Sequence, residues 1–439
     1  MYLPKALQFC MDTLESAGYA TYAVGGCVRD SLLGLQPQDY DLCTAATPAQ
    51  ICAAFAGFSL VKAGEKHGTI GVVVDGAVYE ITTFRTEGDY TDSRHPGWVA
   101  FVTDIAQDLA RRDFTVNAMA YSPIRGFADP FGGQQDLQAG ILRAVGNATQ
   151  RFTEDALRIL RGVRFSVKYH LIPEAETMNA MVQLAPRLHN IAAERIFDEL
   201  CKLLPLVTAQ DLLTFAPILG EVVPSLRATM GFAQHNDHHA YDVYTHTAHV
   251  VEAVPPLLPL RWAALLHDIG KVDTFSMDSQ GQGHFYGHAE RSAEMADAIL
   301  RGLKSPNALR EQVVQLVKLH MVRIEPERKA VKRWMHRLQS TPIDIEHLLS
   351  LQAADTSSKG TGTADTTTPL QQVAALAHDI RNEFACITVR DLAVNGHDLM
   401  ALGYSGKAIG TTLNALLEQV IDGTLPNERI TLLQAITQP

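Results

Sequence analysis

The chain has 439 residues, is 46% hydrophobic and 19% charged, and carries a formal net charge of −11. At roughly 100–200 residues per domain this length predicts two to four domains, and the composition excludes wholesale disorder, a collagen-like fibre and a coiled coil. The acidic balance has the wrong sign for non-specific coating of nucleic acid, yet the cations are clustered: Arg143, Arg151, Arg158, Arg161, Arg164 and Lys168 face only Glu154 and Asp155 in between, a local basic groove.

Residues 2–17 read as an amphipathic helix that ends at Gly18. Strand-like runs follow at Thr21–Val24, Thr69–Val74 and Val78–Phe84, with helical segments interleaved at Cys27–Leu33 and Pro48–Phe55. After Phe152 strand signals nearly vanish. Thr153 is the expected cap of a helix with Leu157, Leu160, Val163 and Val167 on its apolar face, and the remainder reads as helices joined by Pro/Gly loops. The most apolar stretch, 250–266, is interrupted by Glu252, Pro255, Pro256, Pro259 and Arg261, short of the ~20 apolar residues of a membrane helix. The opening residues lack a secretory core. Cys10, Cys27, Cys43, Cys52, Cys201 and Cys386 have no CxxC spacing and read as reduced, mostly buried thiols, so a cytoplasmic enzyme is expected.

Two constellations carry chemistry. In the first, Gly25-Gly26 leaves the strand Thr21–Val24 and opens a helix, a geometry that brings backbone N–H groups close to a phosphate. Asp39-Tyr40-Asp41 follows; residues two apart on a strand point the same way, so both carboxylates are expected in one site, where Mg²⁺ would offset their repulsion. Glu80 is a possible third carboxylate or a solvated strand residue. Residues 86–97, with Tyr90 and Arg94, read as a mobile loop, and Arg111-Arg112-Asp113 as either a phosphate and ribose contact or a surface ion cluster.

In the second, His246, His267-Asp268, His288, His320 and Asp355 are spread over helical segments, and Asp365 is an alternative to Asp355. Imidazoles and carboxylates on several helices are how borderline divalent metals are held, and a His-Asp pair inside an apolar helix needs a partner for its buried charge.

The ordered stretches GGCVRDSLLG with DYDL, TFRTEGDYTDSRHP, RRDFTVNA and TEDALRILRGVRF resemble the class II CCA tRNA nucleotidyltransferases of the polymerase-β superfamily. The resemblance implies an α+β fold: a polymerase-β-like nucleotidyltransferase head with a small mixed sheet over 1–150, a helical neck and body over 151–230, an HD domain over 231–360, and a helical tRNA-binding tail over 361–439. It implies that Asp39 and Asp41 hold catalytic Mg²⁺, and that Gly25, Gly26, Arg29, Arg112, Asp113 and Asn117 bind the nucleotide. Asp155 and Arg158, three apart and so expected on one helix face, would template the base, with Arg161 and Arg164 extending the basic face. The partners implied are tRNA, ATP and CTP, with no membrane and no obligate protein partner; the reaction implied is template-independent CCA addition. Poly(A) polymerases share the early motifs and are the first alternative. The second set resembles the HD phosphohydrolases. That likeness implies a divalent transition metal on His246, His267, Asp268 and Asp355, with His288 and His320 adding a second metal or binding phosphate and Lys271 assisting. An end-repair phosphatase or cyclic phosphodiesterase activity would follow. The second alternative is an HD phosphohydrolase whose head only binds RNA.

Overall fold

The computed structural model describes residues 1–88, 98–235, 240–360, 367–383 and 385–437. The chain divides into two compact units, Met1–Leu203 and Leu204–Pro439.

The first unit is built on a seven-stranded mixed sheet of order β3-β4-β5-β2-β1-β8-β9. Helix α1 (Lys5–Ser16) buries Leu7, Cys10, Met11 and Leu14, the i, i+3, i+4, i+7 stripe that the sequence spells out. Strand β1 (Thr21–Val24) is buried along its whole length and feeds helix α2 (Gly26–Leu32) through Gly25, whose φ of 75° and ψ of −123° only glycine adopts without strain. Strand β2 (Asp41–Thr44) lies antiparallel to β1, and helix α3 (Pro48–Ala54) is fixed by a capping box in which Thr47 and Gln50 satisfy each other's backbone. Strands β3 (Leu60–Val61), β4 (Thr69–Val74) and β5 (Ala77–Thr83) form an antiparallel run, and β5 joins β2 in parallel. Short strands β6 (Arg85–Glu87) and β7 (Val99–Phe101) pair separately, then α4 (Ile105–Ala110) leads to β8 (Ala120–Ser122) and β9 (Gly126–Ala128) at the sheet edge. Tyr22, Val24, Cys43, Phe84, Leu109 and Val145 share one core at its centre.

Helices α5 (Gly133–Ala139), α6 (Ala148–Glu154), α7 (Leu157–Tyr169), α8 (Ala175–Leu184) and α9 (Ala193–Leu203) complete this unit. Two expectations need correction here. Thr153 does not cap the helix that carries Leu157, Leu160, Val163 and Val167: it lies inside α6, which Asn147 caps by accepting from Gln150 N, and α7 has Ala156 at its N-cap with no side-chain hydrogen bond. Helix α6 stops at Glu154; Asp155 adopts extended backbone (φ −143°, ψ 102°), and α7 begins afresh at Leu157.

The second unit is helical apart from one two-stranded pair, Ser276–Met277 with Gly283–His284, among the described residues. The helix Leu258–Leu266 is largely buried and apolar apart from Arg261, which donates to Val207 O at 3.0 Å, and Trp262 is fully enclosed. The C-terminal residues have their own core of Leu392, Val394, Leu399, Leu416, Leu417 and Leu432. Among the described residues no helix is long and apolar enough to cross a membrane. All six cysteines are free, and four of them are buried.

Leu417 is fully buried in that C-terminal core. Leu417→Ala should lower local stability by about 2–5 kcal/mol. Hydrogen exchange of the helix Lys407–Ile421 should accelerate in this variant, and unchanged exchange would show that the core does not hold the tail.

Candidate functional site

The glycine turn and the carboxylates meet at one end of the sheet. In the parallel β2–β5 ladder Leu42 faces Ile81, which sets Asp41 level with Glu80 on the neighbouring strand. Asp39 lies in the loop before β2, so the two aspartates do not share a strand as their spacing predicts; only Asp41 belongs to it. All three carboxylates are exposed. They nevertheless sense one another: burial of its surroundings pushes the Asp41 carboxyl above its usual value, Arg112 opposes this, and Glu80 and Asp39 push it further up. Three acids in mutual repulsion with only oxygen donors fit a hard cation such as Mg²⁺. Their oxygens do not form one of the tight ligand groups found among the described residues, so a cation would draw them together.

Arg112 lies directly against the glycine turn. A Cβ on Gly25 would come within 2.8 Å of its Nη1, the movable end of a side chain, so it is the positive φ that demands glycine here. Arg112 also reaches the buried Asp108 at 3.5 Å, and Arg111 binds the same carboxylate at 2.8 Å. Arg29 on α2 is buried. It donates to Asp30 Oδ1 at 2.7 Å, to Asn117 Oδ1 and to the Tyr169 hydroxyl, and its guanidinium stacks 4.1 Å from the Tyr169 ring. Asp113 accepts from Asn117 Nδ2 (3.1 Å) and Phe114 N (2.9 Å), and its second oxygen binds Arg161 at 2.7 Å. Burial alone would raise the Asp113 carboxyl, but Arg161 and Asn117 overcome it and hold the group at about 2.

The Glu154–Arg158 segment departs from expectation. Because α6 breaks at Asp155, Asp155 and Arg158 do not share a helix face. Asp155 binds Arg195 of α9 at 2.8 Å and accepts from Leu157 N, whereas Arg158 binds Glu154 at 2.8 Å and donates to the carbonyls of Arg151 and Arg111. Arg164 binds Glu199 at 2.6 Å. The basic groove is therefore matched by acids distant in sequence, among them Asp113, Asp136 and Glu199. Sequence reasoning missed Arg195 and Glu199; the available signal was a buried glutamate on the amphipathic helix α9, amid Ile196, Phe197, Leu200 and Leu203, which requires a partner. Tyr90 and Arg94 lie outside the described residues.

The second constellation is brought together in full. His246, His267 and Asp355 place ligand atoms within 4.8 Å of one another, as do Asp268, His288 and His320, and all six residues are buried. Asp355 is thus an acid of the cluster; Asp365 lies outside the described residues. The outer ring nitrogen of each histidine faces a backbone carbonyl: His267 Nδ1 to Ala264 O (2.8 Å), His288 to Phe285 O (2.8 Å), His320 to Val317 O (2.6 Å) and His246 to Ser358 O (3.2 Å). A carbonyl only accepts, so each Nδ1 carries the proton, and in the neutral ring Nε2 presents its lone pair inward. Those nitrogens meet carboxylate oxygens: His246 Nε2 lies 3.0 Å from Asp355 and 3.6 Å from Asp268, and His267 and His288 lie 3.2 and 3.4 Å from Asp268. A protonated ring can donate to these oxygens, and against the lowering by burial Asp268 raises His267; a cation between neutral rings and carboxylates would satisfy the same contacts. Asp268 is wholly buried, and its two oxygens gather His246, His267, His288 and Lys271 around them, a crowding of ligand atoms that a metal would share. Burial, together with His267, pushes His320 down to about 4, leaving it neutral at pH 7. The donor set of four imidazoles and two carboxylates fits a divalent transition metal. Lys271 Nζ binds Asp268 at 2.7 Å and Gln234 at 2.8 Å beside it.

With this geometry in hand, comparison with known proteins is decisive. Residues 21–143 match the family profile of the poly A polymerase head domain, 171–211 that of an RNA- and SrmB-binding site of polymerase A, and 284–436 that of tRNA nucleotidyltransferase domain 2. The chain is 33% identical to the CCA-adding enzyme of Streptococcus mutans serotype c, covering 99% of this chain and 98% of that one. The chain belongs to the CCA-adding enzyme family. The family member from Geobacillus thermodenitrificans is 32% identical across 95% of this chain and 92% of its own. The crystal structure of the Bacillus stearothermophilus CCA-adding enzyme in complex with CTP superimposes with a TM-score of 0.70 at 28% identity, covering 99% and 98% of the two chains. A polymerase-β-like head with a mixed sheet, followed by a helical body, is the fold shared with these CCA-adding enzymes.

The low Asp113 value carries a sign. Its folded value of about 2 lies below the ordinary 3.8, so its contribution is complete above about pH 4 and lost as pH falls toward 2. Asp113→Asn should lose about 2 kcal/mol in urea unfolding of the head at pH 7, and about half as much at pH 3. An equal loss at both pH values would contradict the Arg161 pairing.

Proposed function

We propose that this member of the family adds C, C and A to tRNA 3′ ends from CTP and ATP without a nucleic-acid template, as a class II enzyme. The observation that carries the reading is the meeting of Asp39, Asp41 and Glu80 beside a glycine turn backed by Arg112, in a chain similar along its whole length to CCA-adding enzymes. Asp39 and Asp41 would hold Mg²⁺, with Glu80 beside them. The metal, when bound, lowers the pKa of the primer hydroxyl and neutralises the triphosphate. The chain's own part is alignment. Gly25 and Gly26 let the backbone approach the phosphates, and Arg29 and Arg112 supply cations already oriented by Asp30, Asn117 and Asp108. Asp113 serves the ribose. Asp155 and Arg158 offer an acceptor and a planar pair of donors to the base once it displaces Arg195 and Glu154 from them. In this reading the neck and body span 151–230, the HD domain 231–360 and the tRNA-binding tail 361–439.

A separate observation, the buried six-residue cluster, favours an additional HD-type metal-dependent phosphohydrolase. His246, His267, Asp268 and Asp355 would hold a divalent metal, and His288, His320 and Lys271 would bind phosphate. Water would attack phosphorus as the ester oxygen departs, leaving a free hydroxyl on the RNA end and inorganic phosphate.

The two sites are separable by experiment. With tRNA lacking its CCA and each labelled triphosphate, the protein should incorporate both CTP and ATP and stop after three nucleotides; long A tracts without CTP use would identify a poly(A) polymerase. Asp39→Ala or Asp41→Ala should abolish addition by at least about 10³-fold while bound transition metal persists. His267→Ala should remove that metal and leave addition intact. Addition surviving in Asp39→Ala would overturn the head assignment.

A further inference from the structure

Tyr286 is 77% exposed, two residues before the cluster histidine His288. Its position is built. The pairing of Ser276 with His284 and of Met277 with Gly283 forms a short hairpin closed by Asp278, whose Oδ1 accepts from Gln280 N and Gln282 N at 2.9 Å. Asp278 Oδ2 accepts from His284 Nε2 at 2.9 Å. A carboxylate only accepts, so Nε2 bears the proton and Nδ1 is left to receive the Tyr286 hydroxyl at 3.5 Å. The two rings lie 10° from parallel with centroids 5.4 Å apart, and Gly287 at φ 75° turns the chain into the helix His288–Gly302 immediately afterward. An aromatic pair is thus held flat at the edge of the site by a hydrogen-bonded chain.

Both rings line a cavity of about 260 Å³ whose other walls include Asp268, Lys271, His288 and Lys359. This is smaller than the roughly 300–1,000 Å³ of drug-sized ligand sites, so it admits a chain end and not a folded RNA. The lining combines two ammonium groups and members of the histidine cluster, suited to a phosphate, with an exposed aromatic face, suited to a flat ring. We infer that His284 and Tyr286 form a stacking platform for the nucleobase of a nucleoside phosphate whose phosphate lies toward Lys271, Lys359 and the metal cluster. The inference rests on the HD-type reading of that cluster and adds to it the residues that would tell a nucleotide, free or at an RNA 3′ end, from a simple phosphate ester.

The test uses the full chain supplied with Mn²⁺, and equilibrium binding in place of turnover. Wild type should bind 3′-AMP about tenfold more tightly than ribose 5-phosphate, the size of effect one stacked base supplies. Tyr286→Ala should lose this preference and Tyr286→Phe, which keeps the face, should retain it. The change on mutating Tyr286 reads this cavity and not the head. A short RNA ending in a 3′-phosphate, run alongside, identifies an RNA end as the ligand if it binds more tightly than 3′-AMP, and a free nucleotide if it does not. A preference unaltered in Tyr286→Ala overturns the platform. If His267→Gln also fails to weaken binding of either phosphate ester, the metal-site reading falls with it; if it does weaken binding, the platform alone has failed.

Discussion

Carboxylates gathered at one end of a sheet repel each other, and the head is arranged around that repulsion. The parallel register of β2 and β5 sets Asp41 level with Glu80, while the loop entering β2 leaves Asp39 within electrostatic reach. The same end of the sheet carries a glycine at positive φ, a backbone that another residue would adopt only with strain, and Arg112 lies against it. Cations and anions are therefore delivered to one place by backbone geometry, before any ligand arrives. A dication between the acids, and a polyphosphate against the arginines, would each remove an unfavourable interaction that folding alone leaves in place.

The arginines follow a common rule. Arg29, Arg158, Arg161 and Arg164 are each held by a carboxylate or amide within the same unit. Pairing keeps these guanidinium groups oriented and makes their partial burial tolerable. In the proposed reading, binding is an exchange of partners: a phosphate or base edge takes over donors already aimed. Asp113 is the most firmly held member, buried and bound by Arg161, Asn117 and a backbone amide.

Local pattern was legible in the sequence; distant pairing was not. The strands Thr21–Val24 and Thr69–Val74 fall where alternation and turn residues put them, and the stripe Leu7, Cys10, Met11, Leu14 marks α1. The six cluster residues were legible because histidines and aspartates recur in otherwise apolar helical surroundings where a charge needs a partner, although His267-Asp268 sits in the turn after the helix Leu258–Leu266 and not inside a helix as expected. The break at Asp155 was not legible: no glycine or proline announces it, and it is stabilised by Arg195, forty residues away. Spacing of three implies a shared face only inside an unbroken helix. Likewise Asp39 and Asp41, two apart, do not share a strand: Asp39 lies in the loop before β2. That Asp355 joins the histidines became visible only once the fold had brought the helix Ile345–Ser357 to them.

The central claim is that Asp39 and Asp41 hold the metal at which nucleotides are joined. Anomalous diffraction from crystals grown with Mn²⁺ and CTP tests it most directly. The account predicts a manganese peak in contact with both carboxylates and with the CTP phosphates, absent in Asp41→Ala. Nucleotide bound with no metal at these two residues, or with metal only at the histidine cluster, would contradict it.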